Sequence, residues 1–142
     1  MKEIVRVTIK GFSGYGPYDE GYEDKVIITP DFISYEYVPN VESETNPKRK
    51  WRYSTNSTIF KLSFTKISEL IEEILNAEIE GFCTDIGGIE FTLMYADKSK
   101  MRKHYWLLGD HFSEIIHHVK ELVPQTEYTP AVLLTEEDFE DE

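Results

Sequence analysis

The chain has 142 residues, 40% hydrophobic and 13% aromatic, with a single cysteine and a formal net charge of −12. That length suits one domain able to bury a full core; one cysteine excludes an intrachain disulfide, and no run approaches the ~20 apolar residues that cross a bilayer. The charge sets phosphate backbones and anionic membranes against the protein as a whole, so neither direct nucleic-acid binding nor membrane association is expected.

Met1, Lys2 and Glu3 lead straight into an alternating segment, not an apolar run, which argues against a secretory signal and for the cytoplasm. Over residues 3–12, Val5, Val7 and Ile9 fall on one side and Arg6, Thr8 and Lys10 on the other, the period-two pattern of a half-buried strand. The stretch from Gly11 to Tyr18, rich in Gly with Pro17, ends that pattern. Lys25–Thr29 reads as a second strand, Pro30-Asp31 as a turn with proline presetting φ at its first corner, and Phe32–Val38 as the returning strand of a hairpin.

Residues 39–47 are polar and aperiodic, the mark of a long loop, and Trp51-Arg52-Tyr53 opens another strand. Ile59–Phe64 is read as a further strand or its continuation. Then the period changes: Ile67, Leu70, Ile71, Ile74 and Leu75 follow helical spacing, with Thr65 as N-cap and the helix lost before Gly81. Gly87-Gly88 precedes a strand with Ile89, Phe91, Leu93 and Tyr95 on one face. Asp97–Lys100 turns the chain, and Met101–Leu108 returns beside it. Asp110 is placed to cap a second helix whose stripe is Phe112, Ile115, Ile116, Val119, Leu122 and Val123, ended by Pro124.

Hairpin-type connections dominate this order. The expected fold is α+β over residues 1–135: an antiparallel sheet of five to six strands in hairpin and meander connections, with two helices packed on one face. Six of the seven residues from Glu136 to Glu142 are acidic, so a disordered acidic tail is expected there.

No catalytic constellation stands out, and no cofactor is expected. Gly11, Gly14 and Gly16 lead into Pro17-Tyr18-Asp19-Glu20, not into a helix N-terminus, so a phosphate-cradling loop lacks its context. Cys83, His104 and Asp85 supply the residue types of a thiol triad, but nothing around Cys83 matches a nucleophile motif. His111, Glu114 and His118 share a helical face opposite the apolar stripe, which reads as solvated surface and not as a metal site.

Two readings carry function. In the first, a non-enzymatic binding module recognises a protein partner through Tyr15, Tyr18, Asp19, Glu20, Tyr22, Glu23 and Asp24, a loop combining rigid aromatic contacts with steering charge. Its sharp version is an inhibitor that mimics nucleic acid. In the second, a small phosphorylated ligand or nucleotide is bound or acted on at a basic and aromatic patch of Arg52, Tyr53, Arg102, Lys103, His104 and Trp106, with Trp51 or Trp106 stacking a base. That patch requires the basic windows at 48–52 and 98–103 to meet.

Overall fold

The computed structural model describes residues 3–12, 22–44, 47–76, 88–105 and 112–123. The described elements are strands β1 (Ile4–Phe12), β2 (Tyr22–Ile28), β3 (Phe32–Pro39) and β4 (Arg49–Ser54), helix α1 (Thr58–Asn76), strands β5 (Gly88–Tyr95) and β6 (Lys100–Tyr105), and helix α2 (Ser113–Lys120). The six strands form one antiparallel sheet in the order β4-β3-β2-β1-β5-β6. The first four strands meander outward from β1. After α1, the chain re-enters on the other side of β1 and finishes the sheet with the β5–β6 hairpin. The fold is α+β, as the order of hairpins and helices implies.

One face of the sheet builds the core. Val7 and Ile9 of β1, Val26 and Ile28 of β2, Ile33 and Tyr35 of β3, and Ile89, Phe91 and Leu93 of β5 are all buried there. Helix α1 contributes Phe60, Phe64, Ile67, Ile71 and Leu75, and α2 contributes Ile115, Ile116 and Val119 to the same cluster. Phe112, at the entry to α2, meets the Phe91 ring edge-on at 5.1 Å. Each of these larger side chains contributes about 1.5–3 kcal/mol on leaving water.

The turns are built as their residues suggest. Thr29 Oγ1 accepts from the amides of Asp31 and Phe32, closing the Pro30-Asp31 turn. In the β5–β6 turn Asp97 Oδ1 accepts from the Ser99 amide, and Lys98 takes φ 71°. Strand β2 starts at Tyr22, earlier than its first apolar residue suggests, because Tyr22 to Asp24 pair with Pro39 to Tyr37. Strand β1 likewise runs through Gly11 and Phe12, which pair with Asp24 and Glu23.

The main correction concerns Ile59–Phe64. This segment is the first part of α1, not a strand. Ser57, not Thr65, supplies the cap, its Oγ accepting from the Phe60 amide at 3.4 Å; Thr65 lies inside the helix and donates to the Lys61 carbonyl at 3.1 Å. The reason lies in spacing: Phe60 and Phe64 continue the stripe of Ile67, Ile71 and Leu75 backwards by helical turns. Two ties hold α1 across the strands. Lys61 Nζ reaches Asp31 Oδ1 at 2.7 Å and the Pro30 carbonyl at 3.3 Å, and the Tyr95 hydroxyl donates to Glu72 Oε2 at 2.9 Å. From Lys61 to Glu72 the helix rises roughly 16 Å, enough to cross about three strand spacings.

Helix and strand make opposite statements about Leu62. A strand places Phe60, Leu62 and Phe64 on one face, whereas the helix buries both phenylalanines and leaves Leu62 65% exposed. Leu62→Lys is therefore expected to change unfolding free energy by less than about 0.5 kcal/mol, and Phe64→Ala to cost about 3–5 kcal/mol, both read by urea denaturation. Comparable losses from the two substitutions would contradict the helix.

Candidate anion-binding site on the open sheet face

Alternation along each strand puts a second set of residues on the face that neither described helix covers. Reading across all six strands, one row is Arg52, Ser34, Ile27, Thr8, Thr92, Arg102, each opposite its neighbour. The next row is Lys50, Glu36, Lys25, Lys10, Glu90 and the position of His104. On the other side of the first row, Arg6 lies opposite Met94 and Met94 opposite Lys100. This face carries Arg6, Lys10, Lys25, Lys50, Arg52, Lys100 and Arg102 against the carboxylates Glu23, Glu36 and Glu90. An acidic protein thus presents a basic sheet face.

The cations surround a hollow. Thr8, Thr92 and Ile27 are short or compact and form the floor of a shallow depression of about 410 Å³, rimmed by Arg6, Lys10, Lys25, Lys100 and Arg102, with Glu90 the one acid. Thr92 is its centre: Thr8 and Arg102 lie directly opposite it on the flanking strands, and Arg6, Lys10 and Lys100 are diagonal neighbours. Direct and diagonal neighbours stand roughly 5 and 7–8 Å away, within the reach of long side chains. A second depression of about 460 Å³ shares Lys25 and Ile27 and extends the trough to Lys50 and Arg52 at β4.

Two details mark the trough electrostatically. Lys10 and Lys25 are directly opposed at mid-sheet, a like-charge pairing that disfavours the sheet unless negative charge lies nearby. Glu36 and Glu90 flank the pair in the same row, but around Thr92 cations outnumber acids. Among the described residues Lys10, Lys25, Lys100 and Arg102 form no ion pair. Arg6 points Nη2 at Met94 Sδ, 3.6 Å away, and the Arg52 guanidinium lies 4.0 Å from the Phe32 ring centre, a cation–π contact that stiffens it.

The two basic windows do not meet as one patch. They occupy opposite edges of the sheet, β4 and β6, about 24 Å apart across five strand spacings. Arg52 and Arg102 share the open face, but Tyr53 and Lys103 are one step out of phase and belong to the helix side, opposite Ile33 and Phe91. Trp51 also points inward: it is buried 6.0 Å from Tyr35, so it is no stacking platform for a base. Of His104 the strand register alone is described, and Trp106 lies outside the described residues. Sequence reasoning missed Arg6, Thr8, Lys10, Lys25, Thr92 and Lys100 as a group. Their signal was present in the outward half of each alternating strand.

The acidic loop fares differently. Tyr15, Tyr18, Asp19 and Glu20 lie outside the described residues. Glu23 is exposed on the open face, while Tyr22 and Asp24 point to the core side. Asp24 is 1% exposed and accepts a hydrogen bond of 2.8 Å from the Tyr35 hydroxyl, so it is a structural carboxylate and not part of a steering surface. Tyr22 packs on Tyr37 at 5.2 Å, and Arg49 covers the Tyr37 ring from 5.5 Å.

Cys83, Asp85, His111 and the 136–142 tail lie outside the described residues, as do Gly14 and Gly16; Gly11 is buried in β1. Glu114 is exposed on α2, and His117 pairs with Glu121 at 3.1 Å. Among the described residues no three His, Cys, Asp or Glu side chains gather as metal ligands, and no helix is long and apolar enough to cross a membrane. No protein-family model, curated protein or solved structure matches the chain, so its chemistry has to be read from its own residues.

Two tyrosines on the core side tie the fold to pH. Burial raises the Tyr22 hydroxyl above the ordinary 10.0, with Asp24 and then Tyr37 adding to it. Burial likewise raises Tyr95, reinforced by its hydrogen bond to Glu72 and that carboxylate's charge. A raised pKa means the neutral form is favoured in the folded state. Their contribution is therefore complete below pH 10 and is lost as pH climbs through the higher folded values. Urea midpoints should fall between about pH 9 and pH 11, and the Tyr22→Phe, Tyr95→Phe chain should lose less over that range. Equal losses in both chains would show that other groups govern the alkaline limit.

Proposed function

We propose that the protein is a non-enzymatic binding module whose open sheet face receives a small, multiply phosphorylated ligand. The observation that carries this reading is the ring of Arg6, Lys10, Lys100 and Arg102 around the paired Thr8 and Thr92. Guanidinium forks match two phosphate oxygens at once, and lysines add mobile point charges. Threonine hydroxyls on the floor can donate to a third oxygen. The depression is shallow and polar, and its cations and floor hydroxyls suit holding the oxygens of an anion, which favours binding over turnover. It also favours a ligand whose affinity comes from charge and hydrogen bonds, not from an enclosed base.

The net charge of −12 does not oppose this arrangement. Local potential, not the sum, guides a small anion over its last few ångströms, because charges beyond about 8–10 Å are screened at ordinary salt. A long polyanion such as nucleic acid would meet the acidic surroundings as well, and is disfavoured for that reason. A cytoplasmic setting belongs to the same proposal. Recognition of a protein partner through the acidic loop is the weaker reading, since Asp24 is buried and Tyr22 faces the core side.

Inorganic tripolyphosphate is a suitable first probe. Arg6→Gln with Arg102→Gln should weaken its binding about 10- to 100-fold by calorimetry, the worth of one or two charge-assisted hydrogen bonds. Lys66→Gln on the exposed side of α1 should leave it unchanged. Equal weakening by both changes would mean that tripolyphosphate responds to overall charge and not to this site.

A further inference from the structure

We propose that the acidic segment Glu136–Glu142 of the same chain docks along the basic trough and competes with the phosphorylated ligand for it. The inference rests on the anion-binding reading above and adds its regulation. Three observations support it: charge, length and reach.

The trough runs from Lys100 and Arg102 on β6, past Lys10 and Lys25, to Lys50 and Arg52 on β4. The segment carries six carboxylates in seven residues, interrupted only by Phe139. It is the densest run of negative charge in a chain whose described surface offers one comparably basic face. In extended form seven residues cover about 23 Å, which matches the trough's span of about 24 Å across five strand spacings.

Reach is sufficient. Val123, just beyond α2, is the last described residue before the segment. The stretch from there to Glu136 can extend roughly 40 Å. Passing from the helix layer round the sheet edge to mid-trough requires about 10 Å of layer thickness and about 12 Å of half-width. The open face therefore lies within range without any rearrangement of the described elements.

Tethering makes a weak contact effective. A segment on the same chain acts at a local concentration of about 1 mM, so an intrinsic dissociation constant of about 0.1–1 mM lowers apparent ligand affinity about 2- to 10-fold. Salt weakens both the segment and the ligand, since both bind through exposed charge.

The experiment compares the ¹⁵N-labelled full chain with a full chain neutralised by Glu136→Gln, Glu137→Gln, Asp138→Asn, Glu140→Gln, Asp141→Asn and Glu142→Gln. At low salt the amides of Thr8, Lys10, Lys25, Thr92 and Arg102 should differ between the two chains, while those of α1 and α2 coincide. The differences should vanish at about 0.5 M salt. Tripolyphosphate should bind the neutralised chain about 2- to 10-fold more tightly. A second variant, Lys10→Gln with Lys50→Gln in the otherwise native chain, should move the segment's own amides towards their high-salt positions.

Coincident face amides with equal tripolyphosphate affinity in both chains would overturn the docking and leave the anion site standing. Coincident amides with tripolyphosphate bound by neither chain would overturn both. Face shifts that grow with protein concentration would assign the segment to a neighbouring molecule and overturn docking within one chain.

Discussion

Everything in this fold depends on how β1 is paired. It is held in antiparallel register by β2 on one side and β5 on the other, so Val7 lies between Ile28 and Leu93, and Ile9 between Val26 and Phe91. These six side chains are fully buried. A slip of β2 or β5 by one residue would turn that strand's own pair among them to water at about 1.5–3 kcal/mol each. The same register leaves Arg6, Thr8 and Lys10 no freedom: they must stand on the opposite face, beside Lys25, Thr92 and Glu90. The core thus determines the composition of the open face, although the two never touch.

That coupling explains how an acidic protein acquires a basic surface. The helix side draws its cohesion from apolar contact with α1 and α2, and the open side is free to carry charge. Cations placed there could have been neutralised strand by strand. Glu36 and Glu90 do this in one row, but the row containing Thr8 and Thr92 holds only arginine at its ends, and the next brings Arg6 and Lys100. Opposing Lys10 to Lys25 costs the sheet a few tenths of a kcal/mol or more. Glu36 and Glu90 offset part of that repulsion, and an anion bound as proposed would offset more.

Much of this was legible in the sequence, and the failures have physical causes. Alternation along residues 6–12 and 88–95 gave strand, face and inward residues, since period two is unambiguous where β-branched and polar residues take turns; Val5 departs from it, because a register shift between Ile4 and Arg6 sets Ile4, not Val5, against the core. Ile59–Phe64 misled because Phe60, Leu62 and Phe64 at every second position satisfy a strand's period, while Phe60 and Phe64 alone also satisfy a helix's. Only packing with Ile67 and Ile71 decides between them. Strand order was out of reach: whether β6 lies beside β4 or at the far edge depends on where α1 returns the chain, and no local pattern encodes that. The site was hidden for the same reason. Arg6, Lys25 and Arg102 are scattered along the chain, and pairing through β1 and β5 makes them one surface. Asp24 looked like loop acid because nothing in its neighbourhood announces the Tyr35 hydroxyl that receives it.

Anions held by the open face, as proposed, would shield that face alone, whereas attraction to positive charge in general would shield every cation. Lysine reactivity tests this most directly, since each amine reports its own surroundings. With tripolyphosphate present, reductive methylation followed by mass spectrometry should show Lys10, Lys25 and Lys100 slowed, while Lys61 and Lys66 on α1 react as before. Uniform slowing of every lysine, or protection confined to the helix side, would contradict the account.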